Sequence, residues 1–157
     1  MNHPVFSEFD LTSLLSLSFS ALIDELHDRL SELGFGDIRP AHGFMFKHII
    51  PNGATGIELA EHLGITKQAV SKMVDFLEKS GYVIRQTHPN DKRGKIIVLT
   101  ERGWLVMKAK EEIIAEIEQR WIDNIGAERM QMLKEDLTKL VYEVNEGNLS
   151  SRSKPVW

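Results

Sequence analysis

The sequence has 157 residues, a net charge of −4 at pH 7 and no cysteine. A chain of this length is expected to form a single domain with its own core. The absence of cysteine excludes disulfides, thiolate metal sites and a cysteine nucleophile. The apolar runs are far shorter than the roughly 20 residues of a membrane span, and the N-terminus lacks a secretory signal pattern. We therefore predict a soluble, cytoplasmic protein with no membrane partner.

The charge is distributed unevenly along the chain. Up to Gly34 there are six acidic residues and one basic residue, whereas residues 66–95 contain seven basic and three acidic residues, a local charge of +4. A basic segment in an otherwise acidic chain suits a polyanionic partner. A solvated polar surface would give the same pattern, so charge alone does not identify the partner.

Two helices are predicted in the first third of the chain. Apolar residues at spacings of three and four predict a long helix over residues 12–33, which begins with Thr12 or Ser13 as its cap and is followed by Gly34. A shorter helix is predicted from Pro40 until Pro51-Asn52-Gly53 stops it.

Residues 55–81 have the pattern of a helix-turn-helix. Thr55 and Glu58 form a capping box at the start of a helix that ends at Gly64. Thr66 then caps a second helix, which ends at Gly81. Two helices joined by a short turn containing glycine are typical of this motif.

The helix pair is followed by a predicted β-hairpin and two more helices. Residues 82–87 and 95–99 have strand-like composition, and the segment between them is rich in turn formers. Thr100 caps a helix over residues 101–124, which is broken at Gly126 and followed by another amphipathic helix. The predicted fold is therefore mainly α with a small β-hairpin wing (α+β): a winged helix-turn-helix with N- and C-terminal dimerisation helices.

The terminal helices carry apolar stripes that are too long for the central unit to cover. We therefore predict that a second copy of the chain covers them. We predict an N-terminal dimerisation helix in residues 1–34 and a winged helix-turn-helix in 35–100. Residues 101–147 are predicted to form C-terminal dimerisation helices and 148–157 a flexible tail. Such a homodimer would place two recognition helices about 34–36 Å apart, one turn of DNA.

The second helix of the motif has an exposed face that suits DNA. A helix fits the major groove, where residues near its N-terminus reach base edges and phosphates. The predicted DNA contacts on this helix are Thr66, Lys67, Gln68, Ser71 and Lys72.

The hairpin supplies the second set of predicted DNA contacts. Lys92 and Arg93 at its tip are expected to enter an adjacent minor groove, and Asp91 is expected to orient Arg93 through a charge-assisted hydrogen bond. Lys95 is a further candidate. Arg85 is equally compatible with a phosphate contact and with an ion pair to an acidic residue.

The run LAEHLGITKQAVSKMVDFLEKSGYVIR, followed by Asp91 and Arg93 in a D-x-R pattern and then by LTERG at residues 99–103, resembles the MarR family of bacterial winged-helix transcription regulators. The resemblance implies a homodimer on an imperfect palindrome of double-stranded DNA, with Arg93 as the wing arginine. It also implies a repressor that a small-molecule effector, often an aromatic acid, releases from DNA. Candidate effector contacts are His42, Phe46 and Trp104, although aromatic residues at helical spacing more often belong to a core.

Two other classes of function were compared with this prediction. A winged helix can also be a protein-interaction adaptor that binds an acidic protein surface without binding DNA. A hydrolase has little support, because the sequence contains neither Gly-x-Ser-x-Gly nor His-Glu-x-x-His. The six histidines match no standard metal-ligand spacing, and we predict no metal, no cofactor and no enzymatic activity.

Overall fold

The structure, a computed structural model, describes residues 10–144 and consists of helices around one β-hairpin. The elements in chain order are α1 Leu11–Glu32, α2 Pro40–Ile49, α3 Gly56–Leu63, α4 Lys67–Lys79, β1 Val83–Thr87, β2 Lys95–Leu99, α5 Glu101–Ile125 and α6 Ala127–Val144. This order confirms the predicted winged-helix fold. The predicted tail at 148–157, residues 1–9 of the predicted N-terminal unit and residues 145–147 of the C-terminal unit lie outside the described residues.

Side-chain caps begin the helices of the central unit where the sequence predicts them. Thr55 Oγ1 accepts a hydrogen bond from the Glu58 amide at 3.2 Å, and Glu58 Oε2 accepts one from the Thr55 amide at 2.7 Å. Thr66 and Thr100 each accept a hydrogen bond from the amide three residues ahead, at 3.1 Å. These caps satisfy amides that have no partner within the helix.

The start of α1 differs from the prediction. The cap is Asp10 rather than Thr12 or Ser13, and its Oδ1 accepts a hydrogen bond from the Ser13 amide at 2.7 Å. This hydrogen bond is the largest cause of the lowered pKa of Asp10. A carboxylate accepts strongly and its negative charge is favoured at a helix N-terminus, which explains why it is preferred to a hydroxyl one turn later.

The core lies where α1, α2 and α5 meet the helix-turn-helix and the base of the hairpin. Large side chains that are almost fully buried include Leu30, Met45, Phe46, Ile49, Leu59, Leu63, Val70, Val74, Leu77, Tyr82, Val83 and Ile117. The helix-turn-helix and the long helices therefore share one continuous apolar core.

The hairpin is antiparallel and is held by a third segment on the outer edge of β2. Val83 pairs with Leu99 and Thr87 with Lys95. On the other edge of β2, the Ala54 amide donates to the Ile97 carbonyl at 3.0 Å, and the Ile97 amide donates to the Ala54 carbonyl at 2.8 Å. The connection between α2 and α3 thus holds the middle of β2.

The two terminal helices carry large apolar side chains that the rest of the described chain does not cover. The exposed residues of this kind are Leu11, Leu14, Leu15, Leu17 and Phe19 on α1 and Met132, Leu133, Leu140, Val141 and Val144 on α6. None of the helices formed by residues 10–144 is both long and apolar enough to span a bilayer.

Candidate nucleic-acid interface

The apolar and polar faces of α4 separate clearly, and the polar face is open. Val70, Val74 and Leu77 are buried and fix the rotation of the helix on the core. The predicted DNA-contacting residues Thr66, Lys67, Gln68, Ser71 and Lys72 are all exposed. Burial of one side of an amphipathic helix thus presents the other side as a continuous polar surface.

The tip of the hairpin is shaped by hydrogen bonds to the backbone. Asp91 Oδ1 accepts from the backbone amide of Arg93 at 3.0 Å, and the Asp91 carbonyl accepts from the Gly94 amide at 3.0 Å. The predicted contact of Asp91 with the Arg93 side chain is therefore replaced by a contact with its backbone, because a short aspartate side chain reaches the amide two residues ahead. The Arg93 side chain is left exposed beside Lys92.

Arg85 joins the hairpin to α4. Its Nη1 lies 2.5 Å from Glu78 Oε2 and its Nη2 lies 2.6 Å from Asp75 Oδ1. Of the two alternatives left open by the sequence, the structure has the ion pair. A guanidinium occupied by two carboxylates holds the hairpin against α4.

The remaining basic residues of this surface are not neutralised in this way. The side chains of Lys67, Lys72, Lys92, Arg93 and Lys95 form no ion pair with any residue between 10 and 144. On α1 and α5, by contrast, Arg120 binds Glu25 and Arg29 binds Glu116. Positive charge therefore remains available on the face formed by α4 and the hairpin.

A separate cavity of about 230 Å³ lies between α1, α2 and α5. Its walls are mainly apolar and include Phe19, Leu22, Ile23, Leu26, Phe46, Met107 and Ile114. The ionisable side chains that line it are those of His27, Arg39, Lys47 and Lys110, and none of the lining residues is acidic. The cavity is therefore apolar with a cationic rim.

Of the three predicted effector contacts, only Phe46 lines this cavity. Trp104 lies on α5 and is 46% exposed. His42 is buried, but its ring stacks on Phe76 of α4. Sequence spacing indicated that these aromatic residues lie on helices but did not show which side each helix turns toward its neighbours.

Burial changes the acidity of two of the cavity's ionisable groups. Burial lowers the pKa of Lys110, and the nearby charge of Lys47 lowers it further. Burial also lowers the pKa of His27, which is opposed by a hydrogen bond to the backbone of Ile38. Arg39, Lys47 and Lys110 were not predicted as site residues, because no local pattern in the sequence distinguishes them from solvated cations.

The histidines provide no metal centre in the described part of the chain. His48 and His62 stack with their ring centroids 4.7 Å apart. No group of three or more histidine, cysteine or carboxylate side chains among residues 10–144 is arranged to hold a metal ion.

This geometry has counterparts among known proteins. The MarR family model matches residues 51–95. Apo MarR from E. coli is 27% identical, with a TM-score of 0.65 over 85% of this chain and 98% of that one. A mutant of S. aureus MepR bound to an oligodeoxyribonucleotide is 25% identical, with a TM-score of 0.61 over 87% of this chain and 99% of that one.

Transcriptional regulator Tm0710 from Thermotoga maritima is also 25% identical, with a TM-score of 0.62 over 87% of this chain and 96% of that one. These likenesses extend over the terminal helices as well as the helix-turn-helix, which the family model alone does not reach. The central motif therefore matches the MarR family, and the whole architecture is similar to that of MarR-family transcriptional regulators of known structure.

Proposed function

We propose that this protein is a homodimeric repressor that binds an imperfect palindrome of double-stranded DNA and is released by a small apolar anion. The observation that carries the proposal is the exposed face of α4, whose polar side chains stand beside unpaired basic side chains on the hairpin. Such a surface presents hydrogen-bonding groups to base edges and positive charge to phosphates. The DNA-bound MepR relative has the same fold and supports the assignment.

Within the surface, the roles divide by position. Lys67, Gln68, Ser71 and Lys72 on α4 face the major groove, where glutamine and lysine discriminate between base pairs. Thr66 lies at the helix N-terminus, which suits a phosphate. Lys92, Arg93 and Lys95 extend from the hairpin toward the neighbouring minor groove. Arg85 and Asp91 act indirectly, because each shapes the wing through contacts inside the protein.

The apolar residues left exposed on α1 and α6 support the homodimer. Leu11 is 66% exposed, Leu17 60% and Val144 81%, although they lie on amphipathic helices. Exposed apolar side chains in this number mark an interaction site, and a symmetric dimer covers the same surface on both copies. The dimer also supplies the second recognition helix that a palindrome requires.

The cavity supports a small-molecule effector. A cavity of about 150 Å³ accommodates benzene, so one of about 230 Å³ accommodates a substituted aromatic ring. Arg39, Lys47 and Lys110 line the cavity, and no acidic residue is part of the lining, which favours an anion. An aromatic carboxylate meets both conditions, and neither His42 nor Trp104 is required for its binding.

The test is a titration of the purified protein against fluorescent duplexes from the DNA upstream of its own gene, with an unrelated duplex as competitor. We expect tight binding to one duplex, loss of that binding in Arg93→Ala and Gln68→Ala, and an unchanged dimer in both variants by sedimentation. Benzoate or 1-naphthoate should lower the affinity for that duplex.

An absence of duplex binding at low salt would refute the proposal and favour an adaptor that uses the same surface for an acidic protein. A chain that stays monomeric at micromolar concentration would also refute it. Loss of DNA binding in Gln68→Ala together with loss of the dimer would point to misfolding rather than to a missing base contact.

A further inference from the structure

The loop between α1 and α2, residues 33–39, contacts the cavity on one side. Ile38 and Arg39 line the cavity, together with Pro40 at the start of α2. His27, which also lines the cavity from α1, interacts with the backbone of Ile38. A ligand in the cavity would therefore touch this loop directly and also touch the histidine beside its backbone.

The other side of the loop is fixed to the DNA-binding unit at Tyr82. Asp37 Oδ1 accepts a hydrogen bond from the Tyr82 hydroxyl at 2.5 Å. Arg102 donates to the Gly34 carbonyl at 3.2 Å and to the Tyr82 hydroxyl at 3.0 Å, and its guanidinium lies over the rings of Phe35 and Tyr82. Tyr82 is fully buried in the connection between α4 and β1. The loop is thereby attached to the C-terminal end of α4.

A second contact reaches α4 itself. His42, in the first turn of α2, accepts a hydrogen bond at Nδ1 from the backbone amide of Arg39 at 3.0 Å. Its ring stacks on Phe76 of α4, with centroids 5.2 Å apart and an angle of 22° between the planes. Phe76 lies one helical turn beyond Lys72 on the proposed recognition helix. A continuous path of contacts therefore leads from Arg39 in the cavity wall to α4.

Two of the other cavity walls come from α1 and α5, which are long helices joined by ion pairs of Arg29 with Glu116 and of Arg120 with Glu25. Because protein interiors are close-packed, extra volume in the cavity must displace a wall. We expect that wall to be the loop, because it is a short connection outside this helix pair.

We infer that the loop of residues 33–39 couples occupancy of the cavity to the orientation of α4, and that the stack of His42 on Phe76 carries this coupling. The inference rests on the proposed DNA-binding function and adds a regulatory route to it. His42 and Phe76 are positioning residues here, since neither needs to touch the effector or the DNA. Burial lowers the pKa of His42 to about 4, so the ring stays neutral and able to accept the Arg39 hydrogen bond at physiological pH.

The test replaces the unknown effector with a side chain that fills the cavity. Ile114→Trp adds volume from α5. Gly43→Leu adds it from α2, where a new Cβ would have only the Lys110 amine within 4 Å, at 3.7 Å. Each filler is measured for duplex affinity by fluorescence anisotropy, with the fold checked by circular dichroism. We expect each filler to weaken binding about tenfold, within the usual range of allosteric coupling.

The decisive measurement repeats this comparison in a background that lacks the stack. In Phe76→Ala, and separately in His42→Asn, each filler should change the affinity by less than about twofold. The matched control is Ile84→Ala, because Ile84 and Phe76 are both 42% exposed but Ile84 lies on β1 and takes no part in the stack. In that control the filler should still weaken binding about tenfold.

Equal filler effects in all backgrounds would overturn the inference, because the coupling would then bypass the stack. Fillers that fold but leave the wild-type affinity unchanged would also overturn it, while the proposed DNA binding would stand. A wild-type protein that binds no duplex would refute the proposed function itself. The two failures are therefore distinguishable.

Discussion

Arg93 provides the sharpest test of the proposed DNA surface, because its side chain is exposed and lacks an ion pair within residues 10–144. Each phosphate that a basic side chain neutralises contributes about 0.9 to the slope of log K against log salt. A dimer carries two copies, so Arg93→Ala should make that slope shallower by about 1.8. Between 50 and 200 mM salt, the advantage of the wild type over the variant should then shrink about tenfold.

The assay is duplex binding by anisotropy at several salt concentrations, with Lys139→Ala as the matched control. Lys139 is also an exposed cation, with 75% of its side chain accessible, but it lies on α6 and is paired with Asp136. Removing it should leave the slope unchanged. Parallel salt dependences for the wild type and Arg93→Ala, or an equal change in Lys139→Ala, would refute the assignment of Arg93 to the DNA surface.

Three further predictions concern other parts of the structure. Lys110→Met should raise the free energy of unfolding by about 0.5–2 kcal/mol by removing a desolvated cation and should weaken benzoate binding measured by calorimetry. Folding lowers the pKa of Lys110, so the gain in stability should be complete at pH values below the pKa of Lys110 in the folded protein, where the side chain is charged in both states. The gain should disappear as the pH rises above the pKa of Lys110 in the unfolded chain, where the side chain is neutral in both states. Arg85→Ala should lower Tm by about 2–4 °C in a thermal melt, since loss of both carboxylate pairs costs about 1 kcal/mol; an unchanged Tm would contradict its bracing role. Gly103→Ala should lower the free energy of unfolding by about 1–3 kcal/mol in a denaturant titration, because the new Cβ would lie 2.3 Å from the Tyr82 carbonyl oxygen. Gly56→Ala is the control and should lower it far less, because a Cβ there meets no atom of another part of the chain within 4 Å.

The helices and strands of the central unit were predictable because short-range interactions specify them. Thr55, Thr66 and Thr100 each cap a helix through an amide three residues ahead. The hairpin turn likewise depends on contacts between neighbours, such as that of Asp91 with the Arg93 amide. The two local errors, the α1 cap and the partner of Asp91, arose where more than one nearby group could form the same kind of hydrogen bond.

Contacts between segments that are distant in the chain could not be predicted from such short-range interactions. The bridge of Ala54 to Ile97 joins two residues that are far apart in the chain, and no spacing pattern in the sequence predicts that they pair. The sequence left two equally suitable partners for Arg85, a DNA phosphate or a nearby acidic side chain. Only the packing of β1 against α4 brought its guanidinium to Asp75 and Glu78.

By itself, the sequence determined the order of the elements, the buried stripe of α4 and hence the polar face that α4 exposes. These features follow from spacings of three and four residues and from caps, which act within one helical turn. The tertiary structure alone decided that Arg39, Lys47 and Lys110 surround one apolar cavity, and that His42 turns away from it toward Phe76. Those relations depend on how α1, α2, α4 and α5 cross one another, and helix crossings are set by the packing of whole side-chain surfaces.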